Sequence, residues 1–376
     1  MVHPGGDVKG SADGDRERVV EHVAGNDGGR ANTQRRSVTL KDVADHVGVS
    51  KALASMVFRG VSGPSEQTRS RVLAAADELG YRPNRAAALL SSRRTHLIGV
   101  MGNVRNSFHA ELVEYLVAAA DAAGYEIVLG AVTPTHGEAR AVETLLDFRS
   151  EALILLGPEF DAAVLADLGA KVPVVAVGRR VNAVGIDVVR AADGRGIAQL
   201  VDHFADLGHR RISHLTGGPG TISADRRSGY MRAMRRHGLD DEIDILDGDY
   251  TESGGIAAAA ALLDRTVRPT AVIAVNDRSA VGLLDSLRRS GLDVPGDIAV
   301  AGYDDSPLAR LTHVELTTVD QQPHEQAARA VQAVVERLDH ARTEPVNIVI
   351  PPRLVPRATS GNGPLAAVRA DTARSK

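Results

Sequence analysis

Residues 39–58 read TLKDVADHVGVSKALASMVF and constrain the fold more than any other stretch of the chain. Their first apolar side chains recur at spacings of three and four residues, which predicts a two-turn amphipathic helix. Thr39 is positioned to cap that helix, because an N-cap threonine accepts a hydrogen bond from a free backbone N–H group. The predicted buried face consists of Leu40, Val43, Ala44 and Val47.

Gly48 is predicted to end this helix, because glycine adopts the left-handed conformation of a helix C-terminus without steric cost. Ser50 then caps a second helix, whose inner face would be Leu53, Ala54 and Val57. Two short helices joined in this way are typical of a helix-turn-helix, which presents the start of its second helix to the major groove of DNA. An ordinary helical hairpin has the same pattern, so these residues alone leave both interpretations open.

A third predicted helix completes a small core. Ser65 caps it, Glu66 lies in its first turn and Gly80 ends it. We expect its inner face to consist of Val72, Leu73, Ala76 and Leu79. Pro83 then breaks the chain, and an alanine-rich segment follows that ends in Leu89 and Leu90 and is too short to be a stable helix alone.

Three motifs in this region resemble the DNA-binding head and hinge of the lactose/galactose repressor (LacI/GalR) family of transcription regulators. They are V-S-x-x-x-x-S-x-V at 49–57, T-R-x-R-V at 68–72 and G-Y-x-P-N at 80–84, in the order and at the spacing of that family. The resemblance extends to about Gly361. It implies a homodimer that binds a palindromic operator on double-stranded DNA.

The resemblance also implies which residues contact DNA. Ser50 and Ser55 are expected to contact phosphates, because short polar side chains at a helix start suit the DNA backbone. Leu90 is the expected minor-groove wedge, with packing of this leucine against the core as the alternative. The predicted base contacts are Lys51, Ala52 and Met56. The complete predicted set is Thr39, Ser50, Lys51, Ala52, Ser55, Met56, Arg59, Asn84, Arg85 and Leu90.

The recognition helix departs from the family pattern. The family usually has Thr, Val and Arg where this chain has Leu53, Ala54 and Met56, and Asn where it has Arg59. Met56 therefore replaces an arginine, whose guanidinium group can form two hydrogen bonds to guanine. We therefore expect an operator that differs from the common family consensus.

The distribution of charge agrees with a DNA-binding head, although the net charge of the chain is −4. Residues 35–94 contain 11 Lys and Arg against 5 Asp and Glu, so this segment has a charge of +6 and the rest has −10. Residues 1–36 are rich in Gly, Asp and Arg and contain few large apolar side chains, which predicts a disordered tail. A second disordered tail is predicted at 361–376.

The composition excludes several kinds of protein. The chain contains 0 Cys, so disulfides and thiolate sites are impossible. No apolar run reaches the roughly 18 residues of a membrane span, and the first residues lack the apolar segment of a signal peptide. The sequence therefore predicts a cytoplasmic protein with no membrane partner.

From Thr95 onward, short apolar runs alternate with longer amphipathic segments, a pattern typical of βαβ units around parallel sheets. One set of predicted strands is 97–101, 126–131, 152–156 and 173–177. A second set is 211–215, 243–246, 271–275 and 298–302. The fold class is therefore a small all-α head plus an α/β core of two doubly wound parallel-sheet halves, which resemble the subdomains of periplasmic sugar-binding proteins.

The predicted domain boundaries follow from these patterns and from the late crossings between halves that the family implies. The head covers 37–83, the hinge helix and linker 84–94, and the core 95–360. Within the core, the first half is expected at about 95–190 and 323–345, and the second half at about 191–319 and 346–360.

Ligands of open α/β sheets bind beyond the carboxyl ends of the strands, so we look there for contacts. Phe108 and His109 lie in a loop similar to the family's N-P-F-F loop, although a lone histidine is more often structural. Arg226 matches the family's R-x-x-G, whose arginine projects into the cleft and can fork onto hydroxyls or a carboxylate. Tyr250 occupies the position of an aromatic that stacks on a sugar or purine face, with core packing as the alternative.

Polar residues also end the later strands. They are the neighbours Asn276 and Asp277, and then Asp304. Paired carboxylates could indicate a metal site or acid–base catalysis, but no histidine or third acid accompanies them at ligand spacing. We therefore expect no metal or cofactor. Gln321 matches the family's T-T-V-x-Q. Ala192 stands where the family usually has an acid. The complete predicted effector site is Phe108, His109, Arg226, Tyr250, Asn276, Asp277, Asp304 and Gln321.

The sequence predicts an effector-responsive transcription repressor, with a sugar, nucleoside or purine-like effector. A bifunctional enzyme with a DNA-binding head would need a catalytic pair, a metal cluster or a phosphate loop, and residues 216–220 lack the lysine of a P-loop. A sugar-transport protein is opposed by the head. A constitutive regulator with a vestigial pocket remains an alternative, because Ala192 replaces an acid that the family usually has there.

Overall fold

The computed structural model describes residues 38–58, 60–82 and 94–361. The chain divides into two compact units, which lie within residues 1–91 and 92–376. We call them the head and the core and describe each by itself.

The head is built from three helices, α1 (Leu40–Val47), α2 (Lys51–Phe58) and α3 (Glu66–Glu78). Thr39 caps α1 in a reciprocal arrangement with Asp42. The Asp42 backbone N–H donates to the Thr39 hydroxyl at 3.3 Å, and the Thr39 backbone N–H donates to the Asp42 carboxylate at 2.8 Å. Gly48 ends α1 with a φ of 74°, the left-handed conformation that the sequence predicts.

The buried core of the head draws on all three helices and consists of Val43, Ala44, Val47, Ala54, Val57, Val72, Ala75 and Ala76. Phe58 packs edge-on against Tyr81, with ring centroids 5.4 Å apart. The prediction that Leu73 faces this core is wrong, because its side chain is 47% exposed. Residues 72, 75, 76 and 79 have the spacing of one helix face, and position 73 lies about 100° away from it.

The first half of the core begins with alternating strands and helices. In chain order they are β1 (Leu97–Asn103), α4 (Ser107–Ala122), β2 (Glu126–Val132), α5 (Glu138–Asp147), β3 (Ala152–Leu156), α6 (Ala162–Gly169), β4 (Val174–Val177) and β5 (Asp187–Ala191). The second half continues with α7 (Asp193–Asp206), β6 (Ile212–Leu215), α8 (Thr221–Arg236), β7 (Asp244–Leu246), α9 (Glu252–Leu263), β8 (Ala271–Ala274), α10 (Asp277–Arg289) and β9 (Ala299–Ala301). The last elements are β10 (Thr318–Asp320), α11 (Pro323–Leu338), β11 (Asn347–Ile350) and β12 (Arg353–Val355).

Two parallel sheets organise the core. The first has the order β11-β5-β4-β3-β1-β2 and the second the order β7-β6-β8-β9. A short antiparallel ribbon of β10 and β12 accompanies the second sheet. The chain therefore crosses between the halves after β5, after β10 and after β11.

The predicted boundary of the second half is wrong at residues 346–350. Strand β11 pairs in parallel with β5 and so belongs to the first sheet, and only the residues from β12 onward join the second half. Strand β5 itself was not among the predicted strands. Its sequence, DVVRA, interrupts the apolar pattern with charged residues, so the strand is hard to identify without its partners.

A buried carboxylate explains why β11 returns to β5. Asp187 is 0% exposed and accepts two hydrogen bonds each from Arg337 and Arg342, at 2.9 to 3.0 Å. It also accepts the Val346 backbone N–H at 2.8 Å. Burial alone raises the pKa of Asp187, but the hydrogen bonds from Arg342 and Arg337 outweigh it and leave the pKa below its ordinary value. The ionised carboxylate thus holds the chain on the first sheet.

In the part of the chain that the structure describes, no helix has both the length and the apolar character needed to cross a membrane.

We expect Asp187→Asn to reduce the free energy of unfolding by about 3 to 5 kcal/mol, because it leaves the largely buried Arg337 guanidinium without its counter-ion and Arg342 paired with Glu336 alone. Chemical denaturation followed by circular dichroism measures the change. The matched control is Asp285→Asn, which removes an exposed ion pair with Arg289 four residues along α10 and should change stability by about 0.5 kcal/mol or less. Equal effects of the two substitutions would contradict the role of Asp187.

Candidate functional site

The predicted DNA-contacting residues of the head gather around the start of α2. Lys51 and Ala52 are exposed in its first turn, and the Ser50 hydroxyl accepts the Leu53 backbone N–H at 3.1 Å, which leaves its own proton free to donate to a phosphate. Ser55 and Met56 are half-buried on the next turn. Thr39 is exposed at the start of α1. The remaining predicted contacts, Arg59, Asn84, Arg85 and Leu90, lie outside the described residues.

The core contains a cleft between its two halves, at the carboxyl ends of the strands. Its lining residues come from both halves: Asn106, Phe108, His109, Leu112, Gly157, Val177, Gly178, Ile222, Arg226, Tyr250, Asn276, Asp304 and Gln321. The structure thus brings together all the predicted effector contacts except Asp277. A second cavity shares His109 and Tyr250 with the first and adds the carboxyl groups of Glu138 and Glu159.

Arg226 is held firmly within the second half. Its Nε donates to Asp193 at 2.8 Å, its Nη1 donates to the Val275 carbonyl at 2.5 Å, and its guanidinium carbon lies 3.8 Å from the centre of the Tyr303 ring. The Nη2 atom lies 3.9 Å from an Asp304 oxygen, too far for a hydrogen bond. Arg226 therefore offers one edge of its guanidinium to the cleft, less than the complete fork that the sequence suggested.

Asp193 is the partner that the sequence did not reveal. It follows Ala192 directly, begins α7 and is buried against Arg226. Burial raises the pKa of Asp193, and the adjacent Arg226 charge acts in the opposite direction. Asp193 is thus the acid that this chain keeps at positions 192–193, and it holds Arg226 instead of lining the cleft.

Asp304 and Gln321 lie together on the cleft wall. The Gln321 side-chain amide donates to an Asp304 oxygen at 2.7 Å. Burial raises the pKa of Asp304 well above its ordinary value, although the Arg226 charge opposes this. The carboxyl oxygens of Asp304 can accept hydrogen bonds on this wall, which suits recognition of a hydroxyl group.

The neighbouring pair Asn276 and Asp277 is largely committed to the protein itself. Asn276 caps α10 through Ser279, whose N–H donates to it at 2.9 Å, and its own amide donates to the Tyr250 carbonyl at 3.2 Å. Asp277 is 0% exposed and accepts hydrogen bonds from the Thr318 hydroxyl at 2.6 Å and the Ser306 N–H at 2.7 Å. Burial raises the pKa of Asp277 to about 6. Asp277 lines neither cavity, and each of its carboxylate oxygens already has a protein partner, so its predicted contact with the effector stays a prediction that this arrangement does not favour.

Tyr250 lies across the cleft wall above Gly217. A Cβ atom at Gly217 would come within 2.5 Å of the tyrosine ring, so only glycine permits this close approach. Burial raises the pKa of Tyr250 to about 12, and the hydroxyl stays protonated. The ring thus offers an apolar face with a hydrogen-bonding tip to a ligand.

The loop before α4 and the first turn of that helix supply the contacts of the first half. Asn106 caps α4 by accepting the N–H groups of Phe108 and His109 at 3.0 and 3.4 Å. The Asn103 N–H donates to His109 Nδ1 at 3.1 Å, which places the histidine proton on Nε2. Burial lowers the pKa of His109 to about 4, so the ring is a neutral donor. Phe108 is 6% exposed and packs mainly in the core.

Several lining residues were not predicted. Gly157 and Gly178 directly follow β3 and β4, so the rule about strand carboxyl ends, applied to every strand, would have found them. Asn106 was identifiable as the first residue of the N-P-F-F-like loop. Ile222, in the first turn of α8, carries no such mark in the sequence.

The cleft is chemically suited to non-covalent recognition. It combines one aromatic face with amide, carboxyl, imidazole and guanidinium groups that can hydrogen-bond to a ligand. In residues 38–58, 60–82 and 94–361, no group of three or more His, Asp or Glu side chains has the arrangement of a metal site.

Comparison with known proteins agrees with both units. Residues 39–84 match the bacterial regulatory proteins of the lacI family, and residues 201–360 match a periplasmic binding protein-like domain. The chain is 32% identical to the HTH-type transcriptional regulator CelR of Thermobifida fusca, over 86% of this chain and 98% of CelR. It is also 32% identical to the ribose operon repressor of Escherichia coli K12, over 86% of this chain and 99% of that repressor.

Solved structures give the same result. A LacI transcriptional regulator from a Rhodococcus species is 44% identical, with a TM-score of 0.69 over 71% of this chain and 98% of that one. The Lac repressor dimer bound to operator and the anti-inducer ONPF is 27% identical, with a TM-score of 0.74 over 86% of this chain and 99% of that one. The chain therefore belongs to the LacI family of bacterial regulatory proteins and is a DNA-binding transcription regulator, not an enzyme.

Proposed function

We propose that this protein represses transcription as a homodimer on a palindromic operator, and that a small neutral ligand bound between the halves of the core changes its affinity for that operator. The observation that carries the proposal is the convergence of predicted ligand contacts from both halves on one cleft. A ligand that touches both halves stabilises one relative orientation of them, and this differential binding is what shifts a conformational equilibrium.

The charges of the cleft support a neutral ligand. Among the described residues that line its two cavities, Arg226 is the cation, and it already pairs with Asp193 at 2.8 Å. Glu138 and Glu159 add negative charge. A phosphorylated or carboxylated ligand would meet more repulsion than attraction here.

The size and surface of the cleft support a compact polyhydroxylated or purine-like ligand. The two cavities measure about 40 and 200 Å³, whereas pockets for drug-sized ligands run from about 300 to 1,000 Å³. Tyr250 can cover an apolar ring face while Asp304 and Arg226 bond to hydroxyls. A solved complex of CelR with cellobiose, 30% identical to this chain with a TM-score of 0.63, is a relative with a sugar bound.

Homodimerisation is supported by the need for two heads on a palindromic site. The solved Lac repressor relative is a dimer on its operator. In this chain, the edge strand β2 exposes 49% of Leu129, and the adjacent α4 exposes 40% of Val117, apolar surface that a second subunit can cover.

We expect Lys51 and Met56 to determine base preference, whereas Ser55 anchors the phosphate backbone. Selection from random operators should yield a changed consensus for the Lys51→Ala/Met56→Ala double variant, with losses of about 1 to 3 kcal/mol per base contact. Ser55→Ala is the control and should weaken all sites alike without changing the consensus. The same selected motif for wild type and the double variant would show that other residues read the bases.

Leu90 lies outside the described residues, and its proposed role rests on the sequence alone. An apolar side chain inserted between base pairs kinks DNA by about 20 to 90°. Leu90→Ala should therefore reduce operator affinity and operator bending together, as measured by gel phasing. Leu89→Ala is the control. Unchanged bending by the Leu90 variant would rule out the wedge.

We expect Arg226→Ala to weaken ligand binding at least tenfold. Calorimetry on the full chain would use neutral pentoses, hexoses and nucleosides, the phosphorylated form of any that bind, and the metabolites of genes beside its operators. The ligand should change operator affinity by about 5- to 150-fold, a coupling of about 1 to 3 kcal/mol. Arg226→Lys is also measured, because it keeps the buried positive charge beside Asp193 and so separates loss of the guanidinium group from destabilisation of the second half.

The matched control is Arg227→Ala, which removes the adjacent arginine of the same helix that lines neither cavity of the cleft. It should bind the ligand as the wild type does. Intact ligand binding by Arg226→Ala would place the pocket elsewhere. Tighter binding of a phosphorylated than of a neutral sugar would contradict the charge argument, and no binding of any compound would favour a constitutive regulator.

A further inference from the structure

Contacts that join the two halves of the core occur at two places around the cleft, outside the predicted ligand contacts. At one, Arg179 donates to the Thr221 hydroxyl at 3.0 Å, and Arg180 approaches both oxygens of Asp225 at 3.3 Å. At the other, Arg278 of the second half donates to the backbone carbonyl of Arg105 in the first half, at 2.6 Å. Arginines therefore reach across the cleft from both sides.

The Arg278 contact is held in a defined geometry. Arg278 lies in the first turn of α10, and its Nε and Nη2 donate to the two carboxylate oxygens of Glu252 at 2.9 and 2.5 Å. This pairing orients the guanidinium, and Nη1 then points at the Arg105 carbonyl. A planar guanidinium can bind a carboxylate with one edge and a carbonyl with another, whereas a lysine ammonium has no such fixed fork.

The carbonyl that Arg278 holds belongs to the loop that builds the ligand contacts of the first half. The Arg105 N–H donates to the Asn103 side chain at 2.9 Å, and the Asn103 N–H donates to His109 Nδ1. The next residue, Asn106, caps α4 through the N–H groups of Phe108 and His109. Arg105 is thus held at both of its backbone groups: its N–H donates to Asn103 in the network that orients His109, and its carbonyl accepts from Arg278.

We infer that Arg278 is a positioning residue for ligand binding: from the second half, it holds the loop of the first half that leads into α4 and orients His109 in the first turn of that helix. This inference rests on the proposed ligand cleft. When the halves separate, the loop loses its hold on Arg278, and when they close, the contacts of both halves reach their bound arrangement together. Ligand binding and closure are coupled through the Arg105 carbonyl, without any contact between Arg278 and the ligand.

The experiment is amide hydrogen exchange by mass spectrometry on the full chain without ligand, in wild type, Arg278→Ala and Arg278→Lys. Peptides that cover residues 103–109 should exchange at least about fivefold faster in both variants. Exchange in the rest of the core and the melting temperature should stay close to wild type, because the lost contacts lie at the partly exposed rim.

The control is Arg288→Ala. Arg288 lies on the same helix and also donates to a backbone carbonyl, that of His313 at 2.8 Å, but within the second half. It should leave exchange of the loop unchanged. Equal loop exchange in wild type and both Arg278 variants, equal acceleration by Arg288→Ala, or accelerated exchange throughout the core would overturn the inference. This experiment uses no ligand, so a negative result would overturn the role of Arg278 but would not contradict the proposed ligand cleft. Conversely, intact ligand binding by Arg226→Ala would contradict the cleft without changing the exchange of the loop.

Discussion

The buried pair of Arg226 and Asp193 is the interaction on which one wall of the cleft depends, the wall that the second half of the core contributes. Both side chains are about 4% exposed or less, and they meet at 2.8 Å. Removal of one partner of such a pair costs about 3 to 5 kcal/mol, because the other charge stays buried without compensation. Arg226 also bonds to the end of β8 and covers the Tyr303 ring at the end of β9. One guanidinium therefore fixes the strand ends that form the cleft wall.

This arrangement also decides what the wall can recognise. An arginine already neutralised by a carboxylate adds little net charge, so its remaining N–H groups act as directional donors more than as an anion trap. Asp304, on the same wall, complements them with carboxyl oxygens that accept hydrogen bonds. Hydroxyl groups are both donors and acceptors, and the cleft presents partners for each function. This polarity is the basis for the proposed preference for a neutral ligand with several hydroxyl groups.

The sequence predicts what is local and periodic. The caps, Gly48 and most strands follow from residues close together in the chain, and so does the position of the cleft at strand ends. Long-range partners could not be predicted. Asp187 and Arg337 are 150 positions apart, and nothing near either one indicates that they meet or that β11 joins the first sheet. Likewise Asp277 follows the end of a strand, where ligand contacts are expected, but its carboxylate accepts a hydrogen bond from Thr318, 41 positions later.

Three chain crossings and the arginine contacts between the halves have opposite mechanical effects. The crossings keep the halves attached in any state, whereas the contacts of Arg278 and Arg180 exist only when the halves are close. Partly exposed pairs of this kind contribute little stability each. Their weakness suits a regulator, because the protein alone then favours the closed form only slightly, and the proposed ligand, by touching both halves, can shift the balance towards closure. A rim of strong contacts would fix one form and remove the response.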